Sequence, residues 1–298
     1  MLKRNKTSKR KKENDIMPTF TNKATLSYKD KTIDSNTVVG NFGGTLALTK
    51  TALVGEYGAG STLTYVISIV NSGTAAFTGL TLEDDLGGYD FGGTTLYPLS
   101  YVDGSLAYFV NGVLQTAPTV EAGPPLTVSG VNVPASSNAI LVYEAEVTDY
   151  APLGVEDSIT NTVTSNGSLA EALTDSETVT TADEPLLTIS KSLSPTDVAE
   201  NGALTYTFVI QNLGNTEAVA TDNVVVTDVF DPILNITSVE LDGVPLELGT
   251  GYTYDEATGE FATAIGAITV PAATYTQEAD GTYTTTPGSV ILTVSGTI

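Results

Sequence analysis

The residues that this sequence lacks restrict its chemistry first. It contains no cysteine and no histidine in 298 residues. Without an imidazole base, a thiolate nucleophile or a zinc or iron–sulfur site of the usual kind, we expect neither an enzyme nor a bound cofactor. Without disulfides, a protein outside the cell needs stability from packing or from another cross-link.

Positive charge is also scarce, with 12 Lys and Arg against 35 Asp and Glu and a net charge of −23. We therefore expect no nucleic-acid or membrane partner for the folded part. The basic leader at the front of the chain could contact nucleic acid or phosphate polymers, although a solvated segment is favoured. No apolar stretch follows it, so no classical signal peptide and no membrane anchor is predicted. The leader holds seven of the 12 basic residues: Lys3, Arg4, Lys6, Lys9, Arg10, Lys11 and Lys12.

From Thr45 onward the pattern is that of β-strands. Short stretches rich in Val, Ile, Thr, Tyr and Leu alternate apolar and polar residues between Gly, Asn, Asp and Pro turns. A repeat divides them, because the pattern from Leu46 to Gly73 recurs from Leu187 to Gly214. This predicts an all-β chain with two tandem immunoglobulin-like β-sandwich domains.

The repeat also predicts the domain boundaries. We expect a disordered basic leader at 1–16, a donor β segment at 17–40 and a linker at 41–45. Domain one covers 46–182 and contains all its strands. A short hinge at 183–185 precedes domain two, at 186–298, which lacks closing strands.

The closing strands of domain one have a counterpart at the front of the chain. After Val147, domain one continues for about 35 residues with two further strands, whereas domain two stops at Ile298. The front segment repeats their order and spacing but has only six residues between Val39 and Leu46, a reach of at most ~21 Å. A sandwich is about 33 Å long, so the segment is predicted to complete another copy, giving a head-to-tail homopolymer. The inserted side chains are Phe20, Asn22, Ala24, Leu26 and Val38.

Lysine is so rare after Lys31 that its two positions need an explanation. Only Lys50 and Lys191 follow, at equivalent places in the opening strands of the two domains. Strand alternation turns both inward, where burial lowers a lysine pKa towards the neutral amine. The same alternation places Asp84, Asp228, Asn161 and Asn22 on inward faces.

The order of these motifs resembles a known family. The lysine-bearing strand, Thr64-Tyr65 with Asn71 and Gly73, and Asn161-Thr162-Val163 resemble the bacterial surface repeat family catalogued as the eleventh domain of unknown function. The resemblance covers the chain after Met17. It implies immunoglobulin-like domains on a cell surface.

A buried Lys, Asn and acid also resemble the set that forms intramolecular isopeptide bonds in Gram-positive surface domains. The resemblance implies a Lys50–Asn161 bond promoted by Asp84 and a Lys191–Asn22 bond between subunits promoted by Asp228. The alternative is a buried Lys–Asp ion pair with Asn bonded to backbone groups.

Two further groups have simpler explanations. The acidic cluster Glu83, Asp84, Asp85 and Asp90 lacks the spacing of a Ca²⁺ loop and is more consistent with a solvated rim, so no metal is predicted. Tyr65 and Tyr206 are explained as core or corner tyrosines.

Together these observations predict a structural subunit of a self-assembling extracellular fibre. Because no export signal is visible, an endospore appendage released by lysis is favoured over a secreted pilus. The alternative is a surface adhesin or ligand-binding module of a Gram-positive bacterium, with its site in the loops at a sandwich end. An enzyme would need an acid pair across a cleft, which the sequence does not locate.

Overall fold

Three β-rich parts follow one another along the chain. The structure is a computed structural model, and it describes residues 19–29, 31–41, 46–166 and 172–298. In these ranges it contains strands, one 3-10 turn at Ala220–Asp222 and no α-helix. The predicted all-β sandwich fold is confirmed. The leader at 1–16 and linker residues 42–45 lie outside the described residues.

The first part is a hairpin made by the predicted donor segment. Its strand β1 pairs with β4, and β2 pairs with β3. In the described ranges none of the four pairs with a strand of either domain. Leu26 is 62% exposed and Ile33 is 48% exposed, so these apolar side chains of the hairpin lie outside any core. The strands are β1 (Thr19–Asn22), β2 (Thr25–Tyr28), β3 (Lys31–Asp34) and β4 (Val38–Asn41).

Domain one is a sandwich of two sheets. Its strands are β5 (Leu46–Ala52), β6 (Glu56–Tyr57), β7 (Thr62–Asn71), β8 (Phe77–Asp84), β9 (Tyr89–Phe91), β10 (Thr94–Leu96), β11 (Leu99–Tyr101), β12 (Ala107–Val110), β13 (Val113–Leu114), β14 (Thr119–Glu121), β15 (Leu126–Val133), β16 (Ser137–Val147), β17 (Ser158–Asn166) and β18 (Leu173–Thr181). One sheet has the order β13-β12-β16-β7-β5, with β11 also on β16. The other has the order β14-β15-β8-β17-β18-β6, and β9 and β10 form a separate hairpin.

Strand alternation builds the core between these sheets. Along β16 every second side chain is buried, because successive residues of a strand point to opposite faces. The inward residues are Ala139, Leu141, Tyr143, Ala145 and Val147. On β17 the inward row includes Ile159, Asn161 and Val163, so the same alternation that fills the core also carries a polar amide into it.

Domain two repeats the first sheet and has a smaller second one. Its strands are β19 (Leu187–Ser194), β20 (Ala203–Asn212), β21 (Thr227–Val229), β22 (Asn235–Leu241), β23 (Val244–Pro245), β24 (Tyr252–Tyr254), β25 (Glu260–Thr263), β26 (Thr274–Gln277), β27 (Tyr283–Thr286) and β28 (Gly288–Thr297). The larger sheet has the order β19-β20-β28-β22-β23 and the smaller one β21-β25-β24. The inner faces of these strands form a second apolar cluster.

The opening strands of both domains pair in the same register. Leu46 lies opposite Asn71 in domain one, and Leu187 lies opposite Asn212 in domain two. The second sheets differ: β8 has β15 on one side and β17 on the other, whereas β21 pairs only with β25 in the described residues. No described strand occupies the place of β17 and β18 in domain two.

A hairpin of domain two reaches back to domain one. Strands β26 and β27 pair with each other, and Tyr275 packs against the core cluster of domain one. Gln277 Nε2 donates to the Tyr89 hydroxyl at 3.1 Å, and the Tyr283 N–H donates to the Asp149 carbonyl at 2.7 Å. The sequence repeat did not reveal this contact, because domain one has no matching hairpin.

The predicted hinge at 183–185 is also held by hydrogen bonds. Thr181 Oγ1 and Asn215 Nδ2 donate to Asp183 Oδ1 at 3.0 and 2.7 Å, and the Glu156 N–H donates to its Oδ2 at 3.2 Å. Asp183 therefore joins residues of both domains.

Candidate functional site

Four buried polar side chains meet inside domain one. Lys50 comes from the middle of β5, Asp84 from the end of β8, Tyr143 from β16 and Asn161 from β17. All four are buried among the apolar side chains of the core. Three of them, Lys50, Asp84 and Asn161, are the residues that the sequence selected, and the structure places them in one cluster.

The Tyr143 hydroxyl connects the members of this cluster. Lys50 Nζ contacts Asp84 Oδ2 and donates to the Tyr143 hydroxyl at 3.1 Å. Tyr143 in turn donates to Asp84 Oδ2 at 2.6 Å, and Asn161 Nδ2 donates to the Tyr143 oxygen at 3.3 Å. The amine and the carboxamide thus share one hydrogen-bonded neighbour.

The carbonyl end of the Asn161 carboxamide has no well-aligned donor. Its Oδ1 is buried and accepts no hydrogen bond of normal geometry among the described residues, and the Asn161 side chain makes only a looser contact with the buried Tyr65 hydroxyl. A buried acceptor without a partner costs about 1–3 kcal/mol. The carboxamide is therefore a polar group whose burial is only partly compensated.

Burial controls the electrostatics of the cluster. It lowers the pKa of the Lys50 amine, and the Asp84 carboxylate opposes that shift. Burial also raises the pKa of the Tyr143 hydroxyl well above 10. Lys50 Nζ lies 4.9 Å from the centre of the Tyr65 ring. A lysine in such a site is a better nucleophile than one in water, because more of it is the neutral amine.

This arrangement contains the parts needed for an amide exchange. The neutral Lys50 amine would attack the Asn161 carboxamide carbon, forming an amide and releasing one ammonia. Asp84 and Tyr143 are placed to accept and return protons during the exchange. The same residues also make a hydrogen-bonded ion pair, the alternative interpretation of the sequence.

The equivalent site in domain two is open. Lys191 Nζ contacts Asp228 Oδ2, but the two side chains are 41% and 17% exposed, against 0% and 2% for Lys50 and Asp84. The Lys191 side chain points inward as predicted, because its Nζ lies 4.5 Å from the centre of the Tyr206 ring. The side chain is nevertheless exposed, because no described strand covers it.

The structure does not bring Asn22 to Lys191 within one molecule. Asn22 is exposed and lies opposite Val38 in the hairpin, where Phe20 lies opposite Gly40. The remaining donor residues, Ala24 and Leu26, are exposed on the same hairpin.

Sequence reasoning missed Tyr143. Its signal was available, since Tyr143 lies two residues from Leu141 and Ala145 in the inward row of β16 and directly opposite Tyr65. In domain two, Val294 lies opposite Tyr206 at this place. The repeat therefore conserves the lysine and the acid but not the hydroxyl between them.

The described residues contain neither a metal-binding cluster nor a membrane-spanning helix. Within them no group of three or more acidic side chains is close enough to hold a metal ion, and this includes the predicted rim of Glu83, Asp84, Asp85 and Asp90. In the same ranges no helix is long and apolar enough to cross a membrane.

Fold and site together define a two-domain β-sandwich protein with one closed and one open lysine–aspartate site. No protein-family model and no curated protein matches the chain. Among solved structures it is similar to BcpA, the major pilin subunit of Bacillus cereus, at 13% identity over 91% of this chain and 73% of that one, with a TM-score of 0.33.

Two further structures are similar to a comparable degree. The pilus backbone RrgB from Streptococcus pneumoniae is 13% identical over 86% of this chain and 51% of that one, with a TM-score of 0.34. A family 123 glycoside hydrolase from Clostridium perfringens is 10% identical over 46% of this chain and 27% of that one, with a TM-score of 0.31. The chain thus spans about half of RrgB and about a quarter of the hydrolase. Identities and TM-scores this low set no limit on its function.

Proposed function

We propose that this chain is a structural subunit of an extracellular fibre, in which residues 19–41 of one copy complete domain two of the next. The observation that carries the proposal is the contrast between the two lysine sites. Lys50 is closed under β17 and β18, whereas Lys191 lies open beside β19 and β21, each of which has one edge that no described strand pairs with. An unpaired strand edge next to exposed core favours the addition of a further strand.

Domain one of the same chain indicates which segment fills the open site. Its closing strands contain Ile159-Thr160-Asn161 and Asp175-Ser176, and the hairpin contains Phe20-Thr21-Asn22 and Asp34-Ser35 in the same order. The hairpin has exposed apolar side chains and, among the described residues, no strand partner in either domain. Both the donor and the acceptor surface are therefore available for pairing.

Chain length favours pairing between copies. Four residues separate Asn41 from Leu46, a span of at most about 18 Å, so the hairpin stays near the start of β5. Using it to complete domain two of another copy produces a heterologous contact, which continues as an open filament unless the rotation between copies closes it into a ring.

Covalent joints complete the proposal. A Lys50–Asn161 amide forms within domain one with Asp84 as the acid, and a Lys191–Asn22 amide forms between subunits with Asp228 as the acid. Each bond forms once per site and releases one ammonia, so the chemistry is self-processing without turnover. The same proposal includes membership of the surface repeat family named above. It also includes a setting as an endospore appendage or pilus-like filament.

Electron microscopy of the purified chain tests the assembly. We expect negatively stained filaments from the full chain and from a control that begins at Met17 and lacks only the leader. A chain that begins at Gly44 should remain monomeric, because it has no donor. Filaments of unchanged length from that shortened chain would contradict the proposal.

A further inference from the structure

In domain one, an acidic side chain of β18 binds the outer edge of β5. The Lys50 N–H donates to Asp175 Oδ2 at 2.7 Å. Two residues further along, the Ala52 backbone interacts with the Glu177 carboxylate and opposes the burial that raises the pKa of that carboxyl. These contacts join the edge strand of one sheet to a strand of the other and close that side of the sandwich. They also fix the backbone of the lysine whose amine faces Asp84.

Domain two presents the same backbone groups without a partner strand. Because β19 pairs with β20 in the register of β5 with β7, the N–H groups of Lys191 and Leu193 point away from the sheet as those of Lys50 and Ala52 do. β19 is the edge strand of its sheet in the described residues. Exposed N–H groups on an edge are strong hydrogen-bond donors for an incoming carboxylate.

The donor hairpin carries the matching acceptor. Its segment Asp34-Ser35-Asn36-Thr37-Val38 aligns with Asp175-Ser176-Glu177-Thr178-Val179, with Asp34 at the place of Asp175 and Asn36 at the place of Glu177. We propose that Asp34 of one copy accepts a hydrogen bond from the Lys191 N–H of the next and thereby sets the register of insertion. Asn36 then lies beside the Leu193 N–H. This inference rests on the proposed fibre assembly.

In the free subunit Asp34 is held by its own hairpin. Lys23 Nζ donates to Asp34 Oδ2 at 2.5 Å, and Thr25 Oγ1 donates to Oδ1 at 2.9 Å. Both hydrogen bonds lower the pKa of the Asp34 carboxyl, and the one from Lys23 has the larger effect. The side chain that would bind the next subunit is therefore already occupied.

The register of the hairpin differs from the register needed for docking. In the hairpin, Asp34 lies opposite Thr25. In domain one the equivalent Asp175 lies opposite Val163, which aligns with Ala24. Docking in the register of domain one would therefore place Asp34 opposite Ala24. A shift of one residue moves a strand's side chains to the other face. In the hairpin Asp34 shares a face with Lys23 and Thr25, and after docking it shares the face of Asn22 and Ala24. Docking therefore breaks the Lys23–Asp34 pair, which acts as a latch on the free donor.

The two partners of this ion pair should have opposite effects on assembly. The full-length chain with Asn22→Ala keeps the joint reversible, so its critical concentration can be measured by sedimentation. In this background Asp34→Ala should raise the critical concentration about tenfold or more, because it removes a hydrogen bond to a charged acceptor. Lys23→Ala should lower it by up to about fivefold, because it removes only an exposed ion pair.

Three readouts make the result decisive. Lys31→Ala removes an equal charge from the same hairpin and should leave the critical concentration unchanged, and Asp34→Asn, which retains an acceptor, should have a smaller effect than Asp34→Ala. Amide hydrogen exchange at Lys191 should slow on assembly in the Asn22→Ala background, and less so with Asp34→Ala.

If Asp34 acts only in the latch, Asp34→Ala and Lys23→Ala will both lower the critical concentration, which overturns the docking contact alone. A parent chain that remains monomeric overturns the proposed fibre assembly itself.

Discussion

In domain one, Lys50 and Asp84 lie under β17 and β18, whereas in domain two Lys191 and Asp228 are partly exposed beside two strand edges that no described strand pairs with. The strands that carry the two lysines are similar in sequence and pair in the same register. Even so, Ile189 of β19 is 57% exposed, and its counterpart Leu48 is 9% exposed. The closing strands, and not the strand that carries the lysine, therefore bury the lysine side chain.

This comparison has a chemical consequence. Removing water from an amine lowers its pKa and strengthens its contacts with nearby charges. In domain one that condition is built into the monomer. In domain two it would arise only when a strand pair is added, so reaction at Lys191 would be coupled to assembly.

The largest expected effect separates the two proposed covalent joints. In filaments of the parent chain, boiling in detergent should leave a ladder of oligomers, with no sensitivity to reducing agents because the chain has no cysteine. Asn22→Ala should still assemble but run as monomer on the same gel, and that monomer should still be about 17 Da light, one ammonia, from the Lys50–Asn161 bond.

Asn161→Ala should give the converse result, an intact ladder whose domain-one bond is missing. Mass spectrometry of digested filaments should find the peptide that joins residues 22 and 191. A parent filament that runs entirely as monomer, without that cross-linked peptide, would refute the joint between subunits.

The second effect compares the two acids in the chain that begins at Gly44. Asp84→Ala abolishes the bond and also leaves Lys50 buried without its partner, so it should cost at least about 3–5 kcal/mol of unfolding free energy. It should also restore the full mass, because the bond no longer forms. Asp228→Ala disrupts an exposed pair and should cost about 0–1 kcal/mol. Calorimetric unfolding of the two variants measures the difference, and equal losses would mean that the sites are equally buried in solution.

A smaller effect should follow from removing the hydroxyl that domain two lacks. Tyr143→Phe deletes the group that bonds Lys50, Asp84 and Asn161, and it should cost about 1–2 kcal/mol. The loss of about 17 Da should also take longer to appear after synthesis. Tyr101→Phe is a matched control, because its hydroxyl accepts from the Leu106 N–H in the same core. The role of Tyr143 would be disproved if both variants acquired the bond at the parent rate.

The smallest expected effect is a pH dependence of domain one when the bond is blocked by Asn161→Ala. The folded pKa of Lys50 is lowered from 10.5, so the unfolded chain binds more protons between the folded value and 10.5, and stability should rise with pH there. The slope is at most about 1.4 kcal/mol per pH unit.

The Tyr143 pKa is raised, so its own contribution is lost only as pH rises above 10. Chemical denaturation should therefore be compared from about pH 7 to about pH 9.5, below the ordinary tyrosine pKa of about 10. A variant with Lys50→Met and Asp84→Asn should lack the rise. A parent slope equal to that of this variant would contradict the lowered pKa.

Much of the domain-one site was predictable from single strands. Alternation along β5, β8 and β17 places Lys50, Asp84 and Asn161 on inward faces, and the structure brings these three residues into one cluster. Tyr143 was not identified, because a tyrosine in an apolar row has the same pattern whether it only packs or also bonds an amine. The β26–β27 hairpin was also missed, since a repeat compares strands that recur and this hairpin occurs once.

The sequence by itself determined the all-β architecture, the repeat and the inward faces, because these depend on the two-residue period of a strand and on turn residues. The tertiary structure decided which inward side chains meet, how far each lysine is removed from water and which register the donor hairpin adopts. Those properties depend on contacts between residues distant in sequence, such as Asp175 with Lys50, and on the strands that lie over them. The two lysines, alike in sequence, are made different by what covers them.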